Sequence, residues 1–265
     1  MRMLSIASGS SGNSIYIGND HTHILVDAGI SKKRIEEGLN TIGLTVNDLS
    51  AIFITHEHKD HIGGVGVLTR KCQAPVYGTK ETLDYILSDT SMGRLDAERF
   101  MPILPNEPLT IGDMIVDPMK ISHDAANPVC YRFFEGDKKA AIATDLGYVT
   151  EENEEKLSDM DVLLIEANHD IQMLQVGTYP YYLKQRILGK QGHLSNESCG
   201  RFLSKIVHDD LKKVYLGHLS MENNLPELAY EAVRLEIAMG DNPYQASDFE
   251  IEVAKRNEPS GVFEF

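Results

Sequence analysis

The chain has 265 residues, 42% hydrophobic and 25% charged, an ordinary globular composition with length enough for a substantial core. Its 25 Lys and Arg against 40 Asp and Glu leave a net charge of −15, which argues against coating nucleic acid or anionic membrane through bulk charge. Three scattered cysteines without a CxxC pair argue against a disulfide framework and place the chain in a reducing cytoplasm, and no apolar stretch approaches the ~18 residues of a membrane span.

In chain order, the opening predicts a hairpin, Met3 to Ala7 and Ser14 to Ile17, joined by SGSSGN. A strand over His23 to Val26 follows, then a short helix over 31–39. Further apolar, β-branched runs predict strands at 51–55, 116–122, 129–135, 140–144, 161–167 and 213–217. Helices are predicted at 63–71, 79–87, 150–157, 196–207 and 226–239, the fourth with Ser195 as N-cap and Glu197 in its first turn. No Gly/Pro/Ser linker divides the chain, so the sequence predicts one α/β domain over 1–265.

Several apolar runs end abruptly in a potential metal ligand: Asp27, His56, His123, Asp145 and His218. In layered α/β folds the crevice beyond the strand ends is where ligands bind, so the pattern predicts one cluster at one edge. The strongest local signal is Thr55-His56-Glu57-His58-Lys59-Asp60-His61. Imidazole and carboxylate are the ligand set of zinc, manganese or iron. Four such groups within six residues reach two adjacent sites, His56 and His58 facing one ion, Asp60 and His61 the other. The tetrapeptide GHLS occurs twice, at Gly192–Ser195 and Gly217–Ser220. The first copy opens a helix, which sets His193 near the positive end of the helix dipole; its plainer reading is a capping or surface histidine.

These motifs resemble the metallo-β-lactamase superfamily. The resemblance covers residues 1 to about 225, with Asp27, the HxHxDH segment, His123, Asp145 and His218 filling the family's five motifs. It implies a four-layer αββα sandwich with two divalent ions, Mn²⁺ or Zn²⁺ with Fe²⁺ as a further choice. His56, His58 and His123 would hold one ion, Asp60, His61 and His218 the other, Asp145 would bridge both, and Asp27 would orient the cluster. A carboxylate rather than a thiolate at 145 suits a shared hydroxide that attacks phosphorus or carbonyl. The doubled GHLS resembles the phosphodiesterase branch, in which the upstream histidine protonates the leaving oxygen. That role falls on His193, with Asp60 or Asp145 accepting the proton of the attacking water. SIASGSSGNS, EANHD, KQGHLSNE and LGHLSMENN narrow the likeness to a bacterial group called YycJ, WalJ or VicX, regarded as exonuclease-like.

The expected activity is therefore a DNA exonuclease of 5′ to 3′ polarity, with RNA a possible substrate and no membrane partner. The alternatives are a small-molecule hydrolase of the glyoxalase II type and a metal-bound regulatory partner of a two-component system. Expected substrate contacts come from two places. Small residues of the SGSSGN turn, Ser10 and Asn13, offer backbone N–H groups to phosphate, though a tight hairpin loop is the plainer reading. The Tyr/Lys stretch 179–190 offers Tyr182, Lys184, Arg186 and Lys190 as a single-strand track, with ordinary half-buried structure as the other reading. Ser220 of the second GHLS completes the set.

Overall fold

The computed structural model describes residues 1–265, which divide into two compact units. One contains Met1–Lys120, Ala125–Lys138 and Lys255–Phe265; the other contains Ile121–Asp124 and Lys139–Ala254.

In the first unit, β1 (Arg2–Ala7), β2 (Ser14–Gly18) and β3 (His23–Val26) pair antiparallel, as the predicted hairpin requires. After α1 (Lys32–Asn40), β4 (Ala51–Phe53) adds parallel to β3. Two short helices follow, α2 (Lys59–Ile62) and α3 (Val65–Thr69), then β5 (Val76–Thr79), α4 (Lys80–Ser88) and β6 (Phe100–Ile103). The last strand, β14 (Phe263–Glu264), closes the other edge, giving the order β14-β1-β2-β3-β4-β5-β6. Ile6, Leu25 and Ile52 from this sheet pack with Ile35 and Leu39 of α1, Leu68 of α3 and Leu83 of α4. Burying each such side chain contributes about 1.5–3 kcal/mol. An antiparallel meander of β7 (Leu109–Ile111), β8 (Met114–Lys120) and β9 (Val129–Glu135) belongs to the same unit.

In the second unit, β10 (Lys138–Ala143), β11 (Val162–Glu166), β12 (Lys213–Gly217) and β13 (Glu250–Val253) run parallel. The helices between them are α5 (Glu151–Leu157), α6 (Ile171–Val176), α7 (Tyr181–Leu188), α8 (Asn196–Ile206) and α9 (Pro226–Met239). β11 is buried along its whole length, which is why its sequence is an unbroken apolar run before Glu166. Ser195 caps α8 through a bond from the Ser198 N–H, as predicted. No helix is long and apolar enough to cross a membrane.

The predicted helix at 63–71 is present in shortened form as α3, and the unpredicted α2 before it begins inside the HxHxDH segment. Gly63 and Gly64 separate them, and a β-carbon on Gly64 would overlap the carbonyl oxygen of Ile30. The stretch 179–190 forms α7, entered from Pro180.

A buried amide pair ties the loops after β11 and β12 to α8. Asn196 and Asn224 exchange side-chain hydrogen bonds of 2.9 and 2.8 Å, and Asn224 Nδ2 also donates to the carbonyls of Ala167 and Asn168. Removing the Asn224 amide strands several buried groups, each costing about 1–3 kcal/mol. Asn224→Ala is expected to lower unfolding stability by about 2–3 kcal/mol in urea titration. An unchanged midpoint would show that the pair contributes nothing.

Candidate metal centre

Three strands are followed by a residue in the left-handed backbone region: Asp27 past β3, Asp145 past β10 and His218 past β12, with φ of 60°, 61° and 56°. Residues with a β-carbon seldom adopt this conformation, and where they do the surroundings enforce it, most often at functional sites. In each case the chain turns sharply just beyond the strand, so the side chain is fixed at the sheet end.

The first unit gathers Asp27, Thr55, His56, His58, Asp60 and His61. The His56 ring lies 4.6 Å from that of His58 and 4.1 Å from that of His61, centroid to centroid. Asp60 Oδ2 is 3.5 Å from His61 Nε2. Asp27 is buried and organises the group. Its carboxylate takes the Thr55 N–H at 2.9 Å, the Thr55 hydroxyl at 2.9 Å, and His61 Nδ1 at 2.7 Å. The hydroxyl, with its proton on Asp27, is free to accept from His56 Nδ1 at 3.0 Å. The turn carrying these residues is stitched to two neighbouring loops by the bonds Asn13 N–H to Asp60 O and Ala28 N–H to His61 O, each 2.8 Å. Gly29 lies against it so closely that a β-carbon would overlap the Asp60 carbonyl. Gly29→Ala is therefore expected to displace Asp60 and His61. Bound metal should fall to half or less by elemental analysis, and wild-type content would contradict this packing argument.

The second unit gathers His123, Asp145, Glu166, His193 and His218. Asp145, Glu166, His193 and His218 bring ligand atoms within 4.8 Å of one another. His123 Nε2 lies 3.6 Å from Asp145 Oδ1, and its Nδ1 donates to the carbonyl of Gly192 at 3.1 Å. Glu166, closing β11, is the organiser here. It is fully buried; Oε1 accepts from Nδ1 of both His193 and His218, each at 2.8 Å. Oε2 accepts the N–H groups of Leu146 and Leu194 at 2.9 and 3.0 Å. Burial pushes its pKa up, but the neighbouring His193 charge and the bonds from His193 and His218 outweigh that and hold it at about 2. It is thus a carboxylate that orients both histidines.

One rule runs through both groups. In His56, His61, His123, His193 and His218 the Nδ1 faces an oxygen acceptor; in His56, His61, His123 and His218 this places the proton on Nδ1 and the lone pair on Nε2. That is the arrangement that orients imidazole for metal ligation. The donor set of nitrogen and carboxylate oxygen, without thiolate, fits divalent zinc, manganese or iron.

The expected substrate contacts divide. Asn13 is buried beside the first group, its Nδ2 3.2 Å from His61 Nε2 and its Oδ1 accepting the Gly9 N–H. Exposed Ser10 lines a cleft of about 440 Å³ with Lys59 and Asp60. Tyr182 on α7 and Lys190 just beyond its end are exposed. Lys184 instead donates to the carbonyls of Gln175 and Gly177 at the end of α6, and Arg186 pairs with Asp124. Ser220 is buried; its N–H donates to Asn168 O and its hydroxyl accepts the Asn223 N–H. Asn168 and His169, singled out by no role in the sequence, are also buried. Asn168 holds the His218 carbonyl through Nδ2 at 2.9 Å, and burial pushes the His169 pKa down to about 4. Glu166 escaped the sequence reading altogether, although the apolar run VLLI before it carried the same signal as those before Asp145 and His218.

The model of the metallo-β-lactamase superfamily matches residues 7–218. The chain belongs to this superfamily. Exodeoxyribonuclease WalJ of Streptococcus pneumoniae serotype 2 (strain D39 / NCTC 7466) is 42% identical over 236 residues, 89% of this chain and 88% of its own length. Exodeoxyribonuclease YycJ of Bacillus anthracis is 39% identical over 228 residues, 86% of each chain. Within the superfamily, then, the chain sits in the WalJ/YycJ group. The zinc-bound PqqB structure from Methylobacterium extorquens covers all of both chains with a TM-score of 0.72 at 16% identity, a likeness of fold alone. The metallo-β-lactamase fold implied by the sequence motifs is thereby shown.

Proposed function

We propose that the protein is a dinuclear metal-dependent exodeoxyribonuclease of 5′ to 3′ polarity, its two units working as one hydrolase domain in the cytoplasm. The observation that carries this reading is the pairing of an N/O-only ligand set, in which Nδ1 of His56, His61, His123 and His218 is tied to an acceptor, with His193 held on the ionised Glu166. Superfamily membership and the names of the WalJ and YycJ relatives support it. In the ligand scheme that membership suggests, His56, His58 and His123 hold one ion, Asp60, His61 and His218 the other, and Asp145 is shared. When bound, the two ions supply Lewis acidity at the phosphoryl oxygens and a water of lowered pKa, and bring positive charge to an acidic protein.

The chain's own residues do the rest. Glu166 and Asp27 keep His218 and His61 in one tautomer and one orientation, so little reorganisation accompanies the reaction. Asp60 or Asp145 accepts the proton lost by the attacking water. His193, with Nδ1 anchored on Glu166, presents Nε2 as the proton donor to the departing 3′ oxygen. The buried carboxylate stabilises the imidazolium from which that proton leaves.

The test is a digestion of end-labelled single- and double-stranded DNA and RNA by metal-reconstituted protein, with lactoylglutathione as a thioester control. Shortening of DNA from one end is expected. Thioester hydrolysis without any shortening would replace this reading with the glyoxalase II type.

A further inference from the structure

Several guanidinium groups of this acidic chain sit on carboxylates: Arg2 on Asp20, Arg132 on Asp117, Arg186 on Asp124, Arg201 on Glu236 and Arg234 on Glu231. Three others in the first unit, Arg70, Arg94 and Arg99, lie together. Arg70 and Arg99 bond to backbone carbonyls. Arg70 Nη1 donates to Met92 O at 2.7 Å, and Arg99 donates to Thr69 O at 2.7 Å and to Ala74 O at 2.6 Å. Arg94 is exposed. All three line one cleft of about 530 Å³, against a single carboxylate, that of Asp96. A guanidinium carries five N–H donors, so the carbonyl bonds fix Arg70 and Arg99 in place and leave donors over. Concentrating three positive charges in a chain of net −15 disfavours nothing so little as an anion.

Arg70 also lines a second cleft, of about 240 Å³, whose wall includes Lys59 from the HxHxDH segment and the half-exposed ring of Tyr85. The two clefts thus join the metal-binding turn to the arginine cluster through one shared side chain. The second cleft balances Lys59 and Arg70 against Glu57 and Asp89, so the cationic groove is the arginine one, and an aromatic face beside a cationic groove accommodates an unpaired base together with its phosphates.

We propose that the cleft of Arg70, Arg94 and Arg99 binds backbone phosphates of the nucleic-acid strand, with a base stacked on Tyr85 between that cleft and the metal-binding turn. This rests on the nuclease reading above and adds to it where the body of the strand lies. It is a different surface from the α7 stretch, whose Lys184 and Arg186 are engaged within the protein.

Arg94 is the position to change, because its neighbours do not depend on it for backbone support. The full-length protein, held in chelator so that nothing is cut, is titrated with a fluorescent 20-nucleotide single strand by anisotropy across a salt series. Arg94→Ala is expected to flatten the slope of log K against log salt by about 0.7, the loss of one single-strand phosphate contact. Arg94→Glu should flatten it further and Arg94→Lys should restore most of it, with thermal midpoint and metal content as in wild type. An unchanged slope in Arg94→Glu would overturn the cleft. So would equal competition by inorganic phosphate and by the strand, since the cleft would then hold a single phosphate. If wild-type protein shortens DNA while the Arg94 variants bind like it, the cleft fails and the nuclease reading stands. If wild-type protein neither binds nor shortens DNA, both fail.

Discussion

His193→Ala should cost about 10²–10⁴-fold on DNA, the usual worth of a positioned general acid. It should leave cleavage of bis-p-nitrophenyl phosphate near the wild-type rate. The difference lies in the leaving group. A DNA 3′ oxygen is strongly basic and has to be protonated as the P–O bond breaks, whereas nitrophenolate departs unaided. The geometry supports this division of labour. His193 keeps 16% of its side-chain surface exposed, whereas His218, on the same Glu166 oxygen, keeps 2%. The difference in exposure fits the proposed roles, His218 as a buried metal ligand and His193 as the acid that meets the substrate. Equal losses on the two substrates, or loss of metal in the variant, would reject the acid assignment. A dinucleotide carrying a nitrophenyl leaving group separates acid catalysis from simple orientation of a long strand: with the acid role, the defect disappears there.

Glu166→Gln should be at least as damaging, by about 10³-fold or more on DNA, because one carboxylate serves four donors. A glutamine of the same size has only one acceptor oxygen and adds two donors. Whichever way the amide turns, it sets a donor against either the two Nδ1 groups or the N–H groups of Leu146 and Leu194. Toward the histidines it would favour the tautomer with the proton on Nε2, which removes the lone pair needed for ligation. Unlike His193→Ala, this variant should therefore lose activity on both substrates and lose metal as well. A Glu166→Gln protein that keeps full metal and cleaves the nitrophenyl diester normally would show that Glu166 serves His193 alone. Glu166→Asp, which retains the carboxylate but shortens its reach, should recover part of the metal.

The proposed ligands were legible because metal chemistry compresses such residues into a pattern: HxHxDH in one turn, and single polar residues closing apolar runs. The same logic extends to Glu166, since a carboxylate at the end of a buried strand cannot stay there unpaired. It went unread because β11 continues into EANHD, and a glutamate has no special standing among ordinary zinc or manganese ligands at that spacing. The strands β5 and β6 were hidden by proline and glycine in PVYGT and FMPI. β13 and β14 were hidden by glutamates that alternate along an exposed edge. The helix α7 was obscured by its tyrosines and by Pro180, which reads as a loop but stands at the N-terminal boundary, where proline is tolerated. The arginine cleft had no sequence signature, because Arg70, Arg94 and Arg99 are spread over thirty residues and meet only through folding.

The central claim is that the ligand groups of this chain hold two divalent ions with Asp145 common to both. Metal analysis of the unchelated protein and two variants tests it most directly. Two ions per chain are expected in the wild type, reduced occupancy of both in Asp145→Ala, and the loss of mainly one in His218→Ala. Full two-ion occupancy in Asp145→Ala would contradict it.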